Sequence, residues 1–168
     1  LPICTPGMLL ESDEVRWRIN LFRSELVRCR ILRPQKQKVM CMKKEKFHIE
    51  YIFDKVSNHS LWNHLTTPRG LSSWFADDVN IHSQTYTFTW RKVQEQAVVI
   101  KLEPEVCIRF HWVDDEEAAS YFEFIIHHIE LTGATALEIT DFATPDERAD
   151  AIELWDTQVA ELRRTLGI

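Results

Sequence analysis

No apolar run in this chain of 168 residues approaches the roughly 18 that a membrane helix needs, and no charged-then-apolar signal sequence is present. Both absences predict a soluble protein of the cytoplasm. No CxxC pair occurs: Cys4, Cys29 and Cys41 fall early and only Cys107 follows, so neither a disulfide framework nor structural zinc is expected, and Cys107 reads as a small buried hydrophobe. His59 and His64 lack the HExxH frame because Ser60 stands where Glu is required, and His127 and His128, adjacent on a strand, point to opposite faces. Asp77-Asp78 and Asp114-Asp115-Glu116-Glu117 lack the alternating ligands and central Gly of a calcium loop, and Ser72-Ser73 lacks a nucleophile elbow. Neither a metal nor a cofactor is therefore expected. There is no internal repeat, Gly-rich linker or low-complexity tract.

What is present is acidic and unevenly divided. Residues 1–41 carry eight Lys or Arg against four Asp or Glu, whereas residues 42–168 carry twelve against twenty-two. An acidic body repels phosphate backbones, which argues against nucleic-acid binding. The first segment has one candidate amphipathic helix, Ser12 to Leu32, ended by Pro34. Met42-Lys43-Lys44-Glu45-Lys46 looks like the start of a bacterial reading frame, so residues 1–41 are expected to be either upstream sequence or an extra docking helix, and residues 42–168 the main domain.

Phe47 to Phe53 alternates apolar and polar residues and reads as a first strand. Ser57 to Ser60 can cap a short helix beginning at Leu61, which Pro68 and Gly70 interrupt before a second one from Leu71 to Phe75. Five strands are then expected: Ile81 to Arg91, Gln94 to Leu102, Val106 to Val113, Tyr121 to Leu131 and Ala134 to Phe142. Short links imply antiparallel neighbours.

The last stretch, Ala143 to Leu166, reads as a long helix capped by Thr144 with Pro145 at its first position and closed by Gly167. Ala149, Ile152, Trp155, Val159, Leu162 and Leu166 form one apolar stripe. The predicted class is α+β: a curved antiparallel sheet of about six strands wrapped around that helix, with two short helices after the first strand.

Within Leu61 to Val79, Trp62, Leu65-Thr66, Pro68, Leu71 and Trp74-Phe75 carry a resemblance. The stretch resembles the START-like, or birch-pollen-allergen-like, helix-grip superfamily (SRPBCC), and within it the family similar to the heat-shock-protein-90 ATPase activator. Phe110-His111-Trp112, Glu138-Ile139-Thr140 and Trp155 extend the match over about Phe47 to Leu166; the family's usual Gly-Gly pair is replaced by Asn80-Ile81-His82-Ser83. The resemblance implies a binding space for a small hydrophobic molecule between sheet and long helix, while some relatives act as cyclases or regulate chaperones.

Tyr86, Phe88, Trp90, Phe110, Trp112, Phe122, Phe124 and Ile126 should face that helix. Together with Trp74, Phe75, Trp155 and Val159, all but Ile126 are the expected ligand-binding residues. The buried indoles of Trp90, Trp112 and Trp155 need partners, which favours a pocket with a few polar atoms, bounded by Trp90, Phe110, Trp112, Phe124 and Trp155 with Trp74 and Phe75 at its mouth. On the opposite face, Arg109, His111, Glu123 and His127 are expected to form a solvated charge ladder. Two alternatives remain open: a module with a protein partner, or an enzyme using His82, His111 or Glu123 if one of them points inward. No catalytic residue is assigned.

Overall fold

The computed structural model describes residues 43–168; the expected helix from Ser12 to Leu32, and the readings of residues 1–41 generally, lie outside them. Strand β1 (Glu45–Phe53) is followed by helices α1 (Asn58–Thr66) and α2 (Pro68–Ser72). Strands β2 (Asp78–His82), β3 (Thr85–Trp90), β4 (Val93–Glu103), β5 (Cys107–Trp112), β6 (Phe122–Ile129) and β7 (Ala134–Ala143) come next, and α3 (Arg148–Leu166) ends the chain. The strands form one antiparallel sheet in the order β1-β7-β6-β5-β4-β3-β2. Helix α3 lies on the concave face, so the α+β helix-grip architecture holds. Among the described residues no helix is long and apolar enough to cross a membrane.

The sheet has seven strands rather than six because the run from Ile81 to Arg91 is broken by a two-residue turn at Ser83 and Gln84, with Ser83 at φ 57°. A serine there takes the left-handed conformation that a glycine would adopt without a steric penalty. Arg91 and Glu105 do the same at the next two hairpins, at φ 55° and 60°.

Pro68 does not interrupt a helix; it opens one. Thr67 caps α2 by accepting from the Gly70 N–H, and Pro68 occupies the first turn, where its missing N–H is harmless. The second helix therefore ends at Ser72, leaving Trp74 and Phe75 on the connection to β2. Gly70 is required by close approach, since a Cβ would stand 2.2 Å from the Asn63 carbonyl oxygen.

Helix α3 also starts later than expected. Thr144 caps nothing: its hydroxyl donates to Glu147 at 2.8 Å, and the helix begins at Arg148. Its end is as predicted, with Gly167 at φ 80° and the N–H groups of Gly167 and Ile168 closing on Arg164 and Arg163. The buried face is rotated from the expected stripe: Ala149 is exposed, whereas Ala151 is half-buried and Gln158 is buried beside Trp155, Val159 and Leu162.

Candidate functional site

Strand alternation alone builds the concave wall. Tyr86, Phe88 and Trp90 on β3, Phe110 and Trp112 on β5, and Phe122 and Phe124 on β6 all point the same way, and every one is buried except Trp112, which is half-buried. Their rings meet directly: Phe110–Phe122 and Trp112–Phe122 stack at 4.8 Å, and Tyr86–Phe110 meets edge-on at 5.0 Å between centroids. From the helix, Trp155 reaches Phe124 at 5.8 Å, and Val159 is buried one turn further on.

Phe75 is not at a mouth. Its ring lies 5.0 Å from Phe88, 5.8 Å from Trp90, 6.0 Å from Phe122, 6.2 Å from Phe124 and 6.0 Å from Trp155. It therefore stands inside the space between sheet and helix, touching both walls. Trp74 is buried beside it, edge-on at 5.4 Å. All eleven expected ligand-binding residues thus converge on one apolar interior.

Three of the indoles find partners within the protein. Trp74 donates to the His64 carbonyl at 2.9 Å, Trp90 to the Phe75 carbonyl at 2.8 Å and Trp155 to an Asp141 carboxylate oxygen at 3.0 Å. The Tyr86 hydroxyl donates to the Thr66 carbonyl at 3.0 Å, and burial pushes that phenol's pKa up. His64 and Thr66 lie in the last turn of α1, where carbonyls have no partner within the helix. Two wall residues therefore cap the helix that closes the site. Thr135, also facing inward, donates to the Val56 carbonyl at 3.0 Å.

Among the described residues one inward polar side chain is left over, and the sequence pattern did not single it out. Gln158 is buried, and neither its Nε2 nor its Oε1 has a hydrogen-bond partner. Its signal was readable: it follows Trp155 by three residues and precedes Leu162 by four, a core spacing on a helix.

The groups considered for chemistry lie elsewhere. His82 is exposed on β2, while His111 and Glu123 alternate with Phe110, Trp112, Phe122 and Phe124 and so point to the convex face. The four-residue ladder expected there is divided. Arg109 grasps Glu123 through two bonds of 2.9 and 3.2 Å and lies 4.0 Å from the Tyr121 ring centroid; His111 Nδ1 is 2.7 Å from the Ser120 carbonyl; His127 Nε2 is 3.0 Å from a Glu138 oxygen. Glu123 is only 3% exposed, so its pair with Arg109 is a shielded, two-pronged contact rather than a solvated one. Among the described residues no group of three His, Cys, Asp or Glu is placed to hold a metal ion.

At the helix's other flank, Tyr51 donates to Asp156 at 2.7 Å and the Arg163 guanidinium to the Ile52 carbonyl at 3.0 Å, which fixes α3 to β1. Burial, reinforced by the Asp156 carboxylate, raises the Tyr51 pKa.

A profile of the START-like superfamily domain matches residues 40–168. No curated protein sequence matches the chain. Among solved structures, BfR322 from Bacteroides fragilis is 48% identical, with 76% of this chain and 94% of that one covered at a TM-score of 0.57. The Aha1 dimer from Colwellia psychrerythraea is 20% identical over 74% of this chain and 97% of its own, at 0.63. CalU16 from Micromonospora echinospora is 16% identical over 75% and 76%, at 0.56. With the last two, this chain shares the fold.

Proposed function

Because the chain belongs to the START-like superfamily, we propose that it is a cytoplasmic, non-enzymatic domain that binds a small apolar molecule between its sheet and α3, sequestering or presenting it. The observation that carries this reading is the position of Phe75. Its ring occupies a slot walled by aromatic rings from β3, β6 and α3, yet it hangs from the connection after α2 rather than from a strand or the long helix. A flat apolar ligand would meet the same surfaces by displacing this one side chain. Sites of this kind are apolar with few polar groups. Sequestration rather than turnover is supported by the outward direction of His111 and Glu123 and the exposure of His82. The acidic body speaks against a nucleic-acid partner.

A protein-interaction module with a filled interior is the second reading, favoured by ring contacts that already close in the free chain and by likeness to the Aha1 dimer. One titration separates the two. N-phenyl-1-naphthylamine, a neutral fluorescent probe, should bind with micromolar affinity and quench tryptophan emission, and Phe124→Trp should abolish binding by filling the slot. No binding, or binding untouched by that variant, selects the protein-interaction reading.

A further inference from the structure

We propose that Gln158 is the polar anchor of this site, and that it selects ligands whose apolar body carries a neutral group with a hydrogen-bond donor and acceptor side by side, a carboxamide being the simplest. The inference rests on the apolar-ligand reading above and adds the ligand's chemistry.

Three observations combine. Gln158 is 2% exposed, and both polar atoms of its amide lack partners, although a primary amide offers two donors and an acceptor and buried polar groups are normally paired. The other inward polar groups named above are spent: the Trp74, Trp90 and Trp155 indoles and the Tyr86 and Thr135 hydroxyls each donate within the protein. Finally, α3 is oriented. At about 100° per residue, Gln158 lies about 60° from Trp155 on one side, and Asp156 about 100° on the other. Asp156 accepts from Tyr51 of β1, the edge strand, so Gln158 lies on the flank turned away from that edge.

The chemistry of the class follows from the amide. A carboxamide or a protonated acid returns one donor and one acceptor in a single plane and pairs both Gln158 atoms at once. A ketone pairs only Nε2 and leaves Oε1 bare. A carboxylate turns negative charge toward Oε1 and must be stripped of water to enter. A hydrocarbon pairs neither atom.

The test is a matched series of one shape: 2-naphthamide, 2-acetylnaphthalene and 2-isopropylnaphthalene. Each displaces N-phenyl-1-naphthylamine from the full chain and from Gln158→Leu, with Gln158→Met as a second variant should the first fail to fold. The preference for the amide over the isopropyl compound should fall at least about tenfold in the variants, the factor carried by one ordinary hydrogen bond, with the ketone between. Both variants should melt no lower than the parent, because apolar replacement removes unpaired atoms. An unchanged preference overturns the role of Gln158 while leaving the ligand reading intact; failure of all three compounds to bind the parent overturns both. Melting points lowered in both variants overturn the inference too, because they would show the amide already partnered in the free protein.

Discussion

Replacing Phe75 by alanine separates a wedge from a loose plug. The ring is buried, and full burial of a phenylalanine removes at least about 150 Å² from water, about 4 kcal/mol at 25 cal/mol per Å². Measured Phe→Ala losses of about 3–5 kcal/mol bracket this figure. Phe75→Ala belongs in the upper half of that range, because the surrounding rings cannot relax inward: Phe88 stacks between Tyr86 and Trp90, and Trp155 is tied to Asp141. Urea unfolding followed by far-ultraviolet circular dichroism, with a slope near 2 kcal/mol per molar, should show the midpoint falling by about 2 M. The gap left behind is apolar, so benzene should enter it, and a hundredfold excess over its Kd should return about 2.7 kcal/mol. A loss below about 1.5 kcal/mol with no benzene effect would show that the space closes by itself, and would remove the geometric basis for a ligand slot.

Trp155→Ala should lose about 3–5 kcal/mol, whereas Glu153→Ala, exposed on the far side of α3, should change stability by less than about 0.5 kcal/mol; equal melts would refute the assignment of the buried face. The folded-state pKa of Tyr51 lies above its unfolded value near 10, so its contribution is complete below pH 10 and is lost as the unfolded phenol ionises at higher pH. Tyr51→Phe should flatten the fall in urea stability between pH 9 and 11, and an undiminished fall would contradict the shielding of that hydroxyl. Removing residues 1–41 should leave a cooperative thermal transition, because the strand and helix plan is complete from Phe47; loss of cooperativity would show that the segment is structural.

The fold was legible because its signals are local and repeated. Alternation in FHIEYIF and in the Tyr86, Phe88, Trp90 series states which strand face is buried, and Gly167 with two preceding arginines states where α3 stops. The differences between pattern and structure share a cause: context gives a side chain another job than its usual one. Thr144 resembles a cap, but its hydroxyl is spent on the Glu147 carboxylate and the helix starts one turn later. Ser83 and Arg91 do not resemble hairpin residues, because left-handed backbone is costly for them, so the run through Ser83 reads as continuous strand. Glu123 has the pattern of a surface ladder; only the fold shows that it is buried and gripped by Arg109.

The aromatic interior teaches a narrower lesson about polar atoms. Buried indoles demand partners, and the sequence offers none within strand or helix periodicity, so a polar pocket looks necessary. The structure answers with main-chain carbonyls that were themselves in need. The last turn of α1 exposes carbonyls that the helix cannot satisfy, and Trp74 and Tyr86 reach them at His64 and Thr66, while the Phe75 carbonyl, on an irregular connection, takes Trp90. Each pairing settles two groups at once; Tyr86 ties α1 to the sheet, Trp90 ties the connection after α2 to it, and Trp74 ties that connection to α1. It also changes how selectivity must arise. With these aromatic polar atoms engaged, the wall offers shape and apolar contact, which distinguish ligands only weakly, by about 1–3 kcal/mol per misfit methylene. A buried amide with both ends unpaired discriminates more sharply, because the wrong ligand leaves it unpaired. If the domain binds a ligand as proposed, its specificity would therefore rest on one side chain of α3 rather than on the aromatic rings around it.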